Sequence, residues 1–376
     1  MTPAGERGSV RIEVLLGGAP LLELKVCAGL LDFGLRHPRW QFSMRGANFR
    51  YTSRWLRDQG IAGAMVVIEA GSAARTLKAA GIPWVHLFPN REGRHPCVNV
   101  DDQAIGRIGA DFLLGKGFLR CAFCGVGTPW SARRAEGFLS RIREAGRCCE
   151  SVDISLAPGG DWGLAVGSDK RLREWVAQLG QGVAVMAAND AMANRLVDAC
   201  LQQRVRVPQD LAVLGVGNHD VLCRLSPVPI SSVEAGVAQA IVCAAATLES
   251  MIRGETPPAM QCVPPIGVVE RRSTDILVYG DNLIVDVVAY IRDHVADGLQ
   301  VEDLPRLFPV SLRTLFRRFA RCVGHSPAVE IRRARLALAR RLLDERRLSR
   351  TEIAAACGYA DLSHMDRLLR RHSSHL

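Results

Sequence analysis

The stretch "VSLRTLFRRFARCVGHSP" (Val310–Pro327) sets Arg313, Arg317, Arg318 and Arg321 on what otherwise reads as a short apolar helix. Leu312, Leu315, Phe316 and Phe319 recur at three- and four-residue steps, the spacing of a buried helical face. Arg313, Arg317 and Arg321 recur every four residues and therefore share the opposite face. Ser311 stands where a hydroxyl can accept from a free N–H of the first turn, and Thr314 lies one turn on. Upstream, a short helix holding Leu304 and Leu307, then the turn "FPV", completes a helix–turn–helix outline. That geometry presents one helix to a DNA major groove, where arginine pairs with guanine O6/N7 or with phosphate. From Leu304 to Arg350, thirteen arginines face only Glu330, Asp344 and Glu345, a local excess that matches the whole chain's +10. Charge focused in this way is the footprint of a polyanion binder, with solvated helix faces as the plainer alternative.

Moving outward toward the C-terminus, a second outline follows. "LSRTEIAAACGYADLSHMDRLLRRH" opens on Ser349 and Glu352 at capping-box spacing. Ala354–Ala356 are small enough for close helix contact, and Gly358 suits a left-handed stop. Leu362, Met365, Leu368 and Leu369 form the next apolar stripe, which leaves Ser363, His364, Arg367 and Arg371 outside. A long helix from Ala328 to Asp344 joins the two outlines, and two readers so joined would stand about one DNA turn apart, roughly 34 Å. From "VEDLPRLF" to "RLLRRH" these residues resemble the AraC-type DNA-binding domain, most specifically in "IAAACGY" and the helix ending "RLLRR". The resemblance implies transcription regulation, with Ser311, Arg313, Thr314, Arg317, Arg318, Arg321, Ser363, His364, Arg367 and Arg371 on the DNA-reading helices. Pro305, Pro309 and the pair His364–Met365 depart from the family pattern, and "HSSHL" stands where it usually continues, which puts the packing of the last helix in question.

Upstream of the basic block the pattern is different. "VRIEVLL", "AGAMVVIEA", "PWVHLF", "RCAFCGV", "GVAVMAAND" and "LAVLGVG" are apolar runs of strand length, separated by helical spacing such as "DDQAIGRIGADFLLGKG". Near-continuous apolar strands alternating with helices mean parallel sheets covered on both faces. About 260 residues are too many for one such sheet, so two lobes are expected. The polar stretch "ERRSTDILVYGDN" (Glu270–Asn282) ends this alternation. The expected fold is thus an α/β two-lobed domain over 9–272, a linker over 273–282, and an all-α double helix–turn–helix domain over 283–376.

The runs "GVGTPWSARRAEGF", "VAVMAANDAMANRLVDAC", "VPQDLAVLGVGNHDVLC", "PISSVE" and "VPPIGVVERRSTD" are similar to the LacI/GalR group of sugar-responsive repressors and to periplasmic sugar-binding proteins. The domain order resembles regulators of the xylose operon type, which fuse this periplasmic-binding-protein-like module to an AraC-type domain. The resemblance implies a small-molecule effector, a monosaccharide, held between the lobes by Arg134, Asn189, Asp190 and Asp101, with Asn218 in the neighbouring loop. Fork-like arginine and carboxylates suit vicinal hydroxyls, and Trp130 could stack on a sugar face. Structural readings stay open beside these: Asn189 as a helix cap, Trp130 as core, and Arg134 paired with Glu136 or another surface acid. The family's "GVDN" loop is "GVGN" here, with Gly217 at the carboxylate position, and "GGAPLLE" (Gly17–Glu23) is apolar where a polar loop is usual. A degenerate regulator that has lost its effector, or acts through protein contacts, is therefore the alternative.

No GxGxxG, P-loop, HExxH or GxSxG occurs, so an enzyme is not expected, nor a cofactor or metal site. His86, His95 and His219 are scattered and read as surface or core residues. Twelve cysteines with no secretory h-region in "MTPAGERGSV" suggest reduced thiols and the cytoplasm, and "CAFC" (Cys121–Cys124) reads as a packed strand. No apolar run approaches the roughly 18 residues of a membrane span. The expected partners are promoter or operator DNA, the small-molecule effector, a second copy of the chain, and RNA polymerase if transcription is activated.

Overall fold

The computed structural model describes residues 9–17, 20–45, 49–67, 71–89, 95–154, 170–275, 282–323, 325–345, 348–359 and 361–373. The chain divides into two compact units, Met1–Asp275 and Ile276–Leu376. The expected linker falls across this division: Ser273 and Thr274 are fully buried in the first unit, and residues 276–281 lie outside the described residues.

The first unit contains two six-stranded sheets. The first lobe is built from β1 (Val10–Leu15), α1 (Pro20–Arg36), β2 (Trp40–Arg45), α2 (Ser53–Asp58), β3 (Gly63–Val67), α3 (Gly71–Ala80), β4 (Trp84–Leu87) and β5 (Cys97–Val100). The chain then enters the second lobe through α4 (Asp102–Gly115), β6 (Arg120–Gly125), α5 (Pro129–Glu144), β7 (Cys148–Asp153) and α6 (Lys170–Leu179). That lobe continues with β8 (Val183–Ala187), α7 (Asp190–Gln202), β9 (Leu211–Val216), α8 (Asp220–Leu225) and β10 (Ser231–Glu234). The chain returns to the first lobe as α9 (Val237–Ile252) and β11 (Met260–Val263), then crosses a third time into β12 (Gly267–Val269). The first sheet, in the order β11-β5-β4-β3-β1-β2, is parallel throughout. The second runs β12-β10-β9-β8-β6-β7, parallel except for β12, which pairs antiparallel at the edge.

The apolar runs seen in the sequence became the central strands. In β3, β8 and β9 every residue is buried, because helices cover both faces of a parallel sheet. β6 takes in "CAFC" as a packed strand, with Cys121 and Cys124 buried and no disulfide among the described residues. Burial pushes the Cys121 thiol up to about 12. On α9, Val237, Ala240, Ile241, Ala244, Ala245 and Leu248 turn one face into the first lobe's core.

Two glycines decide how closely α4 and α5 approach. A Cβ on Gly106 would sit 2.1 Å from the Arg134 carbonyl oxygen, and one on Gly137 would sit 2.1 Å from that of Gln103. With no side chain at either position the two backbones touch, and this brings the start of α4 against the first turns of α5.

The second unit comprises α10 (Asn282–Asp293), α11 (Leu304–Leu307), α12 (Leu312–Val323), α13 (Pro327–Glu345), α14 (Arg350–Ala356) and α15 (Leu362–Ser373). It has two small cores. Ile284, Val288, Ile291, Leu304, Leu315, Phe319 and Ile331 form the first; Leu336, Ala339, Ile353, Ala354, Cys357 and Met365 form the second. α13 contributes to both, its first half through Ile331 and its second through Leu336 and Ala339. Buried Glu330 fixes α13 to α10 by accepting from Arg292 Nε and Nη2, each at 3.1 Å, with His325 Nε2 at 3.4 Å.

One detail of the opening helix differs from its sequence reading. Leu315 and Phe319 are fully buried, but Leu312 and Phe316 remain 37% exposed. Phe316 lies about 100° around the helix from Leu315, and the core is narrow enough to accept only the 315/319 edge.

Candidate functional site

The lobes of the first unit enclose a cavity of about 160 Å³. Leu22, Lys25, Phe88 and Asn99 line it from the first lobe, and Trp130, Arg133, Arg134, Asn189, Asp190 and His219 from the second. Most of the remaining wall is apolar, through Pro89, Val100, Val216, Ala235 and Val237. A few polar groups converging in an apolar cleft are what a small-molecule site requires.

Asp102 organises the second-lobe side. It opens α4, where the helix N-terminus favours a negative charge, and its side chain is 1% exposed. Its Oδ2 accepts from Arg133 Nε at 3.1 Å and Nη2 at 2.9 Å, and its Oδ1 from Arg134 Nε at 2.9 Å. Arg134 Nη1 also donates to the Ala188 carbonyl at 2.7 Å, and its guanidinium lies 4.7 Å from the Trp130 ring centroid. The α4–α5 contact at Gly106 and Gly137 makes this pairing geometrically available.

On the same lobe, Asn189 caps α7, its Oδ1 accepting from the Met192 N–H at 2.8 Å. Buried Asp190 begins the same helix and accepts from the Ser232 hydroxyl at 2.5 Å and the His219 N–H at 2.8 Å. Gly217 has φ +120°, and a Cβ there would lie 3.2 Å from Asp190 Oδ2. The glycine that breaks the family pattern is thus one this backbone requires. Burial holds His219 below the usual histidine range, with Lys25 acting in the same direction and Asp190 and Glu234 opposing.

A polar chain runs through the lobe crossover. Lys25 of α1 donates to both Glu234 oxygens at 2.9 Å, and Asn218 Nδ2 donates to Glu234 at 3.1 Å. Asn218 Oδ1 in turn accepts from Arg271 Nη2 at 2.7 Å.

Of the residues singled out in the sequence, the cavity brings together Trp130, Arg134, Asn189 and Asp190. Asp101 instead caps α4 through the Ala104 N–H, and Asn218 bridges Glu234 and Arg271; neither lines the cavity. Sequence reasoning missed Leu22, Lys25, Asn99, Asp102, Arg133 and His219. Asp102 and Arg133 sit one residue from expected positions, so only the helix start and phase could have separated them. Arg134 pairs with Asp102 rather than with Glu136, which bonds Gln103.

In the second unit Ser311 caps α12: its Oγ accepts from the Thr314 N–H at 3.3 Å and donates to Thr314 Oγ1 at 3.0 Å. Arg313 and Arg317 are exposed, while Arg318 is half-buried and makes an internal interaction. Ser349 and Glu352 form the expected capping box, Gly358 takes φ +68°, and Arg350 pairs with Asp366 to tie α14 to α15. Ser363 and Arg367 are exposed on α15. The side chains of Arg321, His364 and Arg371 lie outside the described residues.

Residues 110–274 match the periplasmic binding protein-like domain family, and residues 306–375 match a helix-turn-helix domain family. The Xylose operon regulatory protein of Escherichia coli (strain K12) is 31% identical over 273 residues, 71% of this chain and 69% of that protein. The chain belongs to the xylose operon regulatory protein family. The family's protein from Haemophilus influenzae is 26% identical over 277 residues. A solved structure of the xylose-binding transcription activator xylR aligns with a TM-score of 0.72 at 25% identity, covering 96% of this chain and 95% of that one. As a xylose operon regulatory protein family member the chain is a DNA-binding transcription regulator, with a two-lobed periplasmic-binding-like unit ahead of two helix–turn–helix elements.

Proposed function

We propose that the regulator is controlled by a small, sugar-like effector held in the cavity between its two lobes. The carrying observation is that both lobes supply the wall: Lys25 and Asn99 from one side, Arg134 and Asn189 from the other. A ligand touching both favours the closed arrangement of the lobes in proportion to its extra contacts there. Relatives named for the xylose operon, and one solved as a xylose-binding activator, support a monosaccharide-like ligand. α12 with Arg313 and Arg317, and α15 with Ser363 and Arg367, read promoter DNA. The protein acts by binding, in the cytoplasm; no described helix is long and apolar enough to cross a membrane. It works as a homodimer through its first unit, where Leu24, Leu31 and Leu35 leave one face of α1 apolar and exposed. Where it activates transcription, RNA polymerase is the further partner.

Fluorescence anisotropy of the full chain on its own promoter DNA tests the reading. Affinity should fall steeply as salt rises, because arginine–phosphate contacts release counterions, and a pentose or related sugar should shift the binding curve. A curve insensitive to both salt and promoter sequence would refute it.

A further inference from the structure

α12 carries adjoining rows of side chains at four-residue steps, each row about 100° around the helix from the next. Leu315 and Phe319 form one row and are fully buried. Arg313 and Arg317 form another; both are exposed, and neither has a carboxylate partner among the described residues. Between these rows lies one that is apolar yet open to solvent: Leu312 and Phe316, each 37% exposed, and exposed Ala320. Neither of the two large side chains belongs to the unit's first core. α15, the other DNA-reading helix, differs in this respect. Its described apolar side chains, Leu362, Met365, Leu368 and Leu369, are all buried or half-buried.

A phenyl ring left in water forgoes favourable burial, and whatever covers Phe316 must also accommodate two guanidinium groups in the next row. No acidic residue occurs from Leu312 to Val323, so the arginines keep their charge directed outward. A protein face that buried the ring would strip water from both cations unless it supplied matching carboxylates. The major groove of DNA offers both halves at once. It has phosphates and guanine edges for arginine, and the thymine C5-methyl as its apolar group.

We propose that Phe316, with Leu312 beside it, is a specificity residue that reads thymine by packing on the C5-methyl group, next to bases contacted by Arg313 and Arg317. This rests on the reading of α12 as a groove helix and adds the base it selects. The ring has no donor or acceptor to offer, so the preference is for the methyl group itself and not for the hydrogen-bonding edge of the A·T pair.

Selection of duplexes from a random pool by the full chain, followed by fluorescence anisotropy on the enriched sequence, tests the proposal. Deoxyuridine, which lacks only the methyl group, replaces each thymine of that sequence in turn. At one thymine or more it should weaken wild-type binding about three- to fivefold, the worth of one buried carbon. Phe316→Ala should bind the thymine and deoxyuridine duplexes equally, and Phe316→Leu should keep part of the difference. Arg313→Ala should weaken both duplexes and leave their ratio intact. Circular dichroism checks that the variants fold; should Phe316→Ala lose its helical signal, Phe316→Leu carries the comparison. Indifference of the wild type to deoxyuridine at every position, or a full response retained in Phe316→Ala, would overturn the proposal and leave α12 as a DNA-reading helix. Unchanged DNA binding by Phe316→Ala, with reduced transcription in a reconstituted assay with RNA polymerase, would overturn it in favour of a protein contact. Failure of any sequence to enrich would remove the DNA reading together with the proposal.

Discussion

Two guanidinium groups close on the Asp102 carboxylate, and the same economy holds at His219, half-buried and acted on by the charges of Lys25, Asp190 and Glu234. Because burial holds His219 below the about 6.5 of an exposed histidine, the unfolded chain binds its proton first as pH falls. Stability therefore rises with pH across that interval: the His219 contribution is complete above about pH 6.5 and is lost as pH drops through the lower folded value. Melting temperature recorded against pH should fall on the acid side in the wild type, and His219→Gln should flatten that limb; parallel curves would contradict the assignment. On α12, exposed Arg313 and Arg317 are free of the core, so their loss should spare folding and weaken DNA binding. Arg313→Ala or Arg317→Ala should each cost about 1–3 kcal/mol of specific binding where the side chain reaches a base edge. Anisotropy on specific and scrambled duplexes separates that result from a uniform phosphate loss.

Among the elements, the α4–α5 contact carries the most consequence. Gly106→Ala puts a methyl group 2.1 Å from the Arg134 carbonyl and 2.6 Å from the Phe138 nitrogen, both backbone atoms that cannot swing aside. The helices must separate, at about 1–3 kcal/mol or more, and Arg134 moves away from Asp102. Urea unfolding should show the lost stability, and titration a weakened ligand site. In α12, Phe319→Ala empties a fully buried position and should cost about 3–5 kcal/mol, whereas Phe316→Ala, at a site 37% exposed, should cost clearly less. Denaturation of the two variants side by side checks the order. The elements legible in the sequence were those with an apolar surplus or a cap: the buried central strands, α9, and the Ser349–Glu352 box. The strands β2, β7 and β12 left no such mark. They lie at sheet edges, and β7 reads "CCESVD" with four of its six positions exposed and none buried, because one flank and part of each face meet solvent.

At the scale of the whole molecule, each of the two units has its own core, and ligand and DNA are expected to act on different ones. Calorimetry should resolve two transitions, and ligand at about one hundred times its dissociation constant should stabilise only the first unit's, by about 2.7 kcal/mol. A single transition that moves as one would show the units to be more tightly coupled than their separate cores imply. Sequence alone determined the architecture: the two-lobed α/β unit, the change to helices after Glu270, and the basic helix beginning at Ser311. Periodicity, caps and charge are local properties, so they survive in a linear reading. Tertiary structure decided which polar groups face the cleft. Asp101 and Asp102 look alike in the sequence, yet one caps α4 and the other is buried beneath two arginines. That choice depends on helix phase and on how closely two glycines let α4 and α5 approach, and both are settled only when the lobes pack.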